Sequence, residues 1–467
     1  MPMDLHYASL LDVSGLIRGR AVSAVEVCQT LLARIARLDP KLNGFLAVLV
    51  DAALAEAAKA DAELAAGLWR GPLHGIPVAI KDLLDVEGSP TTSGTAIFKD
   101  LMPDDDATVV ARLRRAGAVI IGKAHMTEGA TLSHHPSLPR PDNPWKSGYW
   151  TGVSSSGSGV TVAAGFCYGA LGTDTGGSIR MPSAANGLSG MKPTWGRVSR
   201  DGLFPLAASF DHIGPMCRTA ADAAAMLQVM AGPDPKDHTA LNAPVPDYLA
   251  GIGAGVSGLR IGIDPELIEA RVEPEVVAGV RAALAVFEDL GARVVEVRLP
   301  RFAPLLGSVF PLLTAEVMAA HAETFPRLAE HYGPDLRRML EAGAPLTAID
   351  VARCISARAA FAGEMRKAFD VVDLLLTPAA PSATLSWDEI EALAADQAAM
   401  MDRIARYTIP FNVTGSPTLS LPCGLAASGL PMGIQLIGPH LSEAMLFRAG
   451  HAFQQATDHH TLHPALD

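Results

Sequence analysis

Five apolar residues, Ile76-Pro77-Val78-Ala79-Ile80, run without a break into Lys81 and Asp82. So short an apolar run reads as a buried strand, which places Lys81 and Asp82 at the carboxyl end of a core element. A helical pattern over 108–116 follows, then a second apolar run, Val119-Ile120-Ile121. Strand, helix and strand in that order point to an α/β layer with parallel pairing. The order recurs downstream as Leu259-Arg260-Ile261-Gly262-Ile263, a helix over 276–290 and a strand over 292–297. With 467 residues, the chain exceeds the usual single core, so one large or two fused α/β domains are expected.

Other elements can be placed around this frame. Ser23 and Glu26 have capping-box spacing, and Val25, Leu31, Leu32, Ile35 and Leu38 follow at helical intervals. Residues 51–66 are alanine-rich and helical, and 158–170 read as a helix of small residues packed closely on the sheet. Pro233, Pro235, Pro244 and Pro246 mark a loop-rich boundary near 232–257. Residues 303–370 are largely helical in pattern. Strands return with Leu374-Leu375-Leu376, Thr418-Leu419-Ser420-Leu421 and 432–437.

Composition removes several function classes. The formal net charge of −12, with no basic run, argues against a nucleic-acid partner. Cys28, Cys167, Cys217, Cys354 and Cys423 are odd in number and never paired as CxxC, so neither a disulfide scaffold nor a zinc ribbon is indicated. Free thiols of this kind suit a cytoplasmic protein. The amino terminus lacks the basic and apolar regions of a signal peptide, and the longest small apolar run, 160–171, is too short to span a bilayer. No metal motif, phosphate-binding loop or G-x-S-x-G elbow occurs, so neither metal nor cofactor is expected. His134-His135 and His459-His460 lie in polar or terminal segments and read as solvated loop residues.

Two serine-bearing segments remain. Gly172-Thr173-Asp174-Thr175-Gly176-Gly177-Ser178-Ile179-Arg180 sets a serine behind two glycines, and Ser154-Ser155-Ser156-Gly157-Ser158 lies upstream. Glycines let backbone N–H groups crowd a hydroxyl, as an oxyanion hole requires. A nucleophilic serine and a plain Gly-Thr-Ser loop are both open readings. A serine nucleophile needs a base, and no histidine sits in a triad motif. A lysine can serve if burial lowers its pKa. Lys81 is either held inside in that way or snorkels to solvent.

At this point the chain resembles the amidase signature family. Gly75-Ile76-Pro77-Val78-Ala79-Ile80-Lys81-Asp82, the segment 152–158 and the segment 172–180 match its three hallmark blocks in order and spacing. Weaker matches run through Lys192-Pro193-Thr194, Gly196-Arg197-Val198-Ser199, Asp211-His212-Ile213-Gly214-Pro215 and Gly415-Ser416-Pro417, leaving roughly 300–370 poorly matched. The resemblance implies an α/β/α fold, a large central mixed sheet flanked by helices on both faces. It implies a Ser–cisSer–Lys triad with Ser178 as nucleophile, Ser154 as relay after a cis peptide bond and Lys81 as base. The backbone N–H groups of Thr175, Gly176, Gly177 and Ser178 would form the oxyanion hole, and Ser155 and Asp174 would orient the loop. Val153 and Ser156 stand where relatives commonly have glycine. Val153 narrows the approach; Trp150 is either a substrate wall or packing; Arg180 either binds a substrate carboxylate or is structural.

The expected organisation is an N-terminal helical segment (1–70), a triad-bearing core (71–231), a boundary with the second strand–helix–strand unit (232–300), a helical substrate cover (301–370) and a return to the sheet (371–467). Phe302, Leu305, Leu306, Phe310, Leu313 and Met318 would form that cover, or are simply core. The expected activity is hydrolysis of small or aryl amides, with carbamates included. The rivals are the amidase component of a tRNA-dependent amidotransferase and a non-catalytic binding protein of the same fold. The expected partner is a small amide or carbamate, with neither nucleic acid nor membrane, and a homodimer is allowed.

Overall fold

The computed structural model describes residues 4–393 and 396–466, and within them all side chains except those of 303, 306, 397 and 398. Eleven strands form one mixed sheet: β1 Phe45–Val48, β2 Pro77–Lys81, β3 Val119–Ala124, β4 Gly169–Thr173, β5 Ser189–Lys192, β6 Ile213–Cys217, β7 Arg260–Ile263, β8 Arg293–Glu296, β9 Leu374–Pro378, β10 Thr418–Leu425 and β11 Pro431–Ile437. Their spatial order is β1-β3-β2-β4-β6-β5-β10-β11-β9-β7-β8. β2 runs parallel to both β3 and β4, and β7 runs parallel to β8 and β9. Of these, β2 with β3 and β7 with β8 are the pairings the two strand–helix–strand patterns called for; β2 with β4 and β7 with β9 were not foreseen. The two parallel groups are joined through the antiparallel strands β6, β5, β10 and β11. Helices cover both faces, as an α/β/α architecture requires, and β2, β3, β4 and β6 are buried along their whole length.

The capping box is present as read: Ser23 Oγ accepts from the Glu26 amide and the Glu26 carboxylate accepts from the Ser23 amide, opening the helix Ala24–Leu42. One reading is corrected. The small-residue helix expected over 158–170 runs only from Ser156 to Ala163. Gly165 turns left-handed at φ 72°, and the Phe166 amide closes back on the Thr161 carbonyl at 2.8 Å, so the chain leaves the helix and Gly169-Ala170 already belong to β4. The sheet therefore gains a central strand beside β2. The strands β5 and β6 and the helix Ala220–Met230 had no counterpart in the sequence reading.

The segment after residue 300 is helical as expected, with helices Phe302–Ala320, Pro334–Gly343 and Ala348–Ala368. Phe302 and Leu305 pack with Phe210, Val372 and Phe411, while Leu313 and Met318 pack near Leu83, Met126 and Tyr332. The side chain of Leu306 lies outside the described residues.

Candidate active site

The carboxyl ends of β2 and β4 lie side by side, with Ile80 paired to Leu171. Three segments meet there: Lys81 closing β2, Thr173 closing β4, and Ser154-Ser155 leading into the helix Ser156–Ala163. Lys81 is wholly buried, so it does not snorkel. Its Nζ donates to Ser154 Oγ and to Thr173 Oγ1, each at 2.7 Å. Burial strips the ammonium of hydration and brings the Lys81 pKa down to about 7, against the opposing pull of Asp211 and Asp174.

The Val153–Ser154 peptide bond is cis. Ser155 ties this segment to β4, accepting from the Thr173 amide and donating to the Thr173 carbonyl, both at 3.2 Å. Gly152 has φ 77°, and a Cβ there would stand 2.5 Å from the backbone of Pro182. Only glycine fits both the conformation and the approach, and this brings the serine segment against the helix Arg180–Asn186.

Asp174 organises the second segment. Its carboxylate accepts from the amides of Gly177 at 2.8 Å, Ile179 at 3.1 Å and Arg180 at 3.4 Å. Burial pushes this carboxyl up, but the Arg180 guanidinium and the Asn412 amide override it and hold it well below the usual carboxylate range. The Asp174 carbonyl in turn accepts from Asn412 Nδ2 and the His212 amide. Thr408 Oγ1 donates to the Gly176 carbonyl at 2.6 Å. Gly177 has φ 129°, and a Cβ there would stand 2.5 Å from Thr408 Oγ1.

This arrangement sorts the four expected oxyanion donors. The Gly177 amide is taken by Asp174 and points into the loop, so it is removed from the set. Among the described residues the amides of Thr175, Gly176 and Ser178 make no hydrogen bond, which leaves three donors beside the Ser178 hydroxyl. Ser178 is 6% exposed, and its Oγ makes no hydrogen bond, to Ser154 or to any other of the described residues.

Arg180 is fully buried and all five of its N–H donors have acceptors within the protein: both Asp174 oxygens, the Thr408 carbonyl, Gln435 Oε1 and Asn412 Oδ1. It has no donor left for a substrate carboxylate, so that reading gives way to the structural one. Breaking a buried pair leaves its partner charged and unsolvated. An Arg180→Met variant is accordingly expected to lose about 3–5 kcal/mol of unfolding free energy, read as a lower denaturation midpoint; an unchanged midpoint would refute the pairing.

Trp150 and Val153 are buried and both line a cavity of about 180 Å³ with Leu132, Trp387, Ile390, Met400 and Ile404. Trp150, Val153, Met400 and Ile404 form one apolar cluster with Met181 and Ile409. Those last two approach Gly177 and Gly176, so the apolar cluster that lines the cavity reaches the Ser178 loop. Its far wall comes from the helices Trp387–Leu393 and Gln397–Ile404. Among the described residues the expected cover over 301–370 contributes none of the lining; Phe302, Leu305, Leu313 and Met318 pack instead into the two clusters described above.

His134 also departs from expectation. It is buried, lines the cavity and sits with Nε2 2.9 Å from Ser156 Oγ, because its loop folds back over the serine segment. Burial holds its imidazole well below the ordinary value, hence neutral. His135, by contrast, is partly exposed and bonds to Ser137. Sequence reasoning missed Thr173, Thr408, Asn412 and Gln435. Thr173 alone had a signal, since it ends the apolar run before Asp174.

A family model described as Amidase matches residues 26–447. The "Putative amidase AmiD" of Mycobacterium bovis (strain ATCC BAA-935 / AF2122/97) is 46% identical over 457 residues, covering 98% of this chain and 96% of that protein. One component of the glutamyl-tRNA(Gln) amidotransferase of Roseiflexus sp. (strain RS-1) is 39% identical over 490 residues, covering 99% of each. Among solved structures, native peptide amidase from Stenotrophomonas maltophilia superposes with a TM-score of 0.84 at 31% identity over 98% of both chains.

Proposed function

The chain belongs to the amidase signature family and is an amidase; from that premise we propose that it hydrolyses neutral amides bearing an apolar or aryl group through an acyl-enzyme on Ser178. The observation that carries this reading is the buried Lys81 with its pKa near 7, hydrogen-bonded to Ser154, whose neighbour Ser155 donates its amide to the Ser178 carbonyl, in a loop where the amides of Thr175, Gly176 and Ser178 make no hydrogen bond among the described residues.

The steps follow from that arrangement. Neutral Lys81 takes a proton from Ser154 as Ser154 takes one from Ser178, and Ser178 Oγ bonds to the carbonyl carbon. Charge moves to the carbonyl oxygen, where the amides of Thr175, Gly176 and Ser178 receive it. The C–N bond then breaks, and the proton on Lys81 returns through Ser154 to the departing nitrogen. Water enters, gives its proton along the same path to Lys81 and attacks the ester; the bond from the acyl carbon to Ser178 Oγ breaks, the proton returns through Ser154 to Oγ, and a carboxylic acid leaves. Asp174 and Ser155 position the loops without touching substrate. Arg180 acts through Asp174 in the same way.

The cavity supports the substrate class. Trp150, Val153, Trp387 and Ile404 offer flat and branched apolar surface beside the serine segment, which suits an aryl or aliphatic group. A Trp150→Ala variant is expected to lose about 10–100-fold in kcat/KM for an anilide and much less for acetamide; equal losses on both would count against Trp150 as a substrate wall. Carbamates present the same carbonyl and leaving nitrogen and belong in the same panel. The near-full-length similarity to an amidotransferase component favours a second reading, in which the chain works only with partners. Hydrolysis of simple amides by the purified chain separates the two.

A further inference from the structure

Among the described residues, only two fully charged side chains line the cavity, Arg140 and Glu391, and they face each other. Arg140 Nη1 lies 2.8 Å from Glu391 Oε1, with the side chains 47% and 64% exposed. The guanidinium also lies 4.4 Å over the Trp387 ring. Trp387 and Glu391 are one helical turn apart on the helix Trp387–Leu393, so they share a face, and Arg140 reaches across from the other side of the opening. The pair thus sits at the exposed rim of a cavity whose other lining residues are apolar apart from Ser133 and the neutral His134, and its charges cancel.

We propose that the Arg140–Glu391 pair determines specificity, admitting neutral groups to the cavity and rejecting those with a distal charge. This inference rests on the apolar-amide reading above. A carboxylate entering the rim meets Glu391 and finds Arg140 already paired. An ammonium meets Arg140 and finds Glu391 paired. A neutral group disturbs neither, and the pair closes beside it with Trp387 held flat by the guanidinium.

The test uses paired amides that differ in one distal charged group. Acetanilide is compared with 4-acetamidobenzoate and with 4-(aminomethyl)acetanilide, and butyranilide with succinanilate, so that either end of the substrate can occupy the cavity. The readout is the kcat/KM ratio of charged to neutral substrate. Glu391→Gln frees Arg140 and is expected to raise the carboxylate ratio about tenfold at one of the two ends. Arg140→Gln frees Glu391 and raises the ammonium ratio by a similar factor. Both gains should shrink in about 0.5 M salt, and the double variant should show neither. Unchanged ratios in both single variants, with wild type active on the neutral amides, overturn the inference. Failure of wild type on every neutral amide overturns the parent reading instead.

Discussion

Replacing Lys81 by methionine is expected to abolish amide hydrolysis without unfolding the protein. Methionine matches the length and apolar stem of lysine but cannot accept a proton. The native site holds Lys81 with its pKa near 7, far below the ordinary lysine value. The unfolded chain therefore binds a proton there that the native state gives up above pH 7. In wild type this group favours unfolding at neutral pH, and native stability rises with pH between about 7 and the ordinary lysine range. Methionine removes that penalty, so the variant should melt no lower than wild type at pH 7. Catalysis shows the same group from the other side. Only neutral Lys81 can act as base, so wild-type kcat/KM should climb as pH rises through about 7 and then level. Rate profiles across pH 5–9, with thermal melts of both proteins, check all three outcomes. A rate that stays flat through pH 7 would remove Lys81 from the role of base.

A Ser178→Ala variant is expected to lose on the order of 10⁴–10⁶ in kcat, the scale at which a nucleophilic serine fails. The substitution removes one oxygen. The Ser178 amide and its neighbours keep their places, because Asp174 holds the loop through Gly177, Ile179 and Arg180 and not through the Ser178 hydroxyl. Substrate should still bind, so the loss should appear in kcat with KM within a few-fold. Ser154→Ala should also be severe, since it removes the hydroxyl proposed to pass the proton between Ser178 and Lys81 and leaves Lys81 bonded to Thr173 alone. Residual activity approaching that of wild type in Ser178→Ala would mean that another group attacks the carbonyl.

The parts of the fold legible in the sequence were those whose periodicity no neighbour disturbs. The apolar runs at Ile76–Ile80 and Val119–Ile121 became β2 and β3, and the run 374–376 became the start of β9. β4 was hidden because its sequence, Gly-Ala-Leu-Gly-Thr, has two glycines and a single β-branched residue, Thr173, where an ordinary buried strand is rich in β-branched residues. The structure supplies the reason: a Cβ at Gly169 would collide with Met226, and one at Gly172 would stand 3.0 Å from Met216 Sδ and Ser155 Oγ. Packing against neighbours selected glycine over strand propensity. The candidate site could be read where its residues fall in one of the three motif blocks, as with Lys81, Ser154, Asp174, Ser178 and Arg180. It was not legible where the chain returns from afar. Thr408 and Asn412 reach the loop from far downstream in the sequence, and nothing local marks them. The same holds for Trp387, whose place on the cavity follows from tertiary folding alone.

Ser178, activated through Ser154 by Lys81, is expected to become covalently acylated during turnover, and everything proposed for the site depends on that bond. Its most direct test is intact-mass analysis and peptide mapping after exposure to phenylmethanesulfonyl fluoride, which loses fluoride as a nucleophilic serine bonds to its sulfur. The expected result is one adduct, mapped to Ser178, forming in step with loss of amidase activity and not forming in Lys81→Met. Inactivation with the adduct on any other residue, or labelling of Ser178 that leaves activity intact, would contradict it.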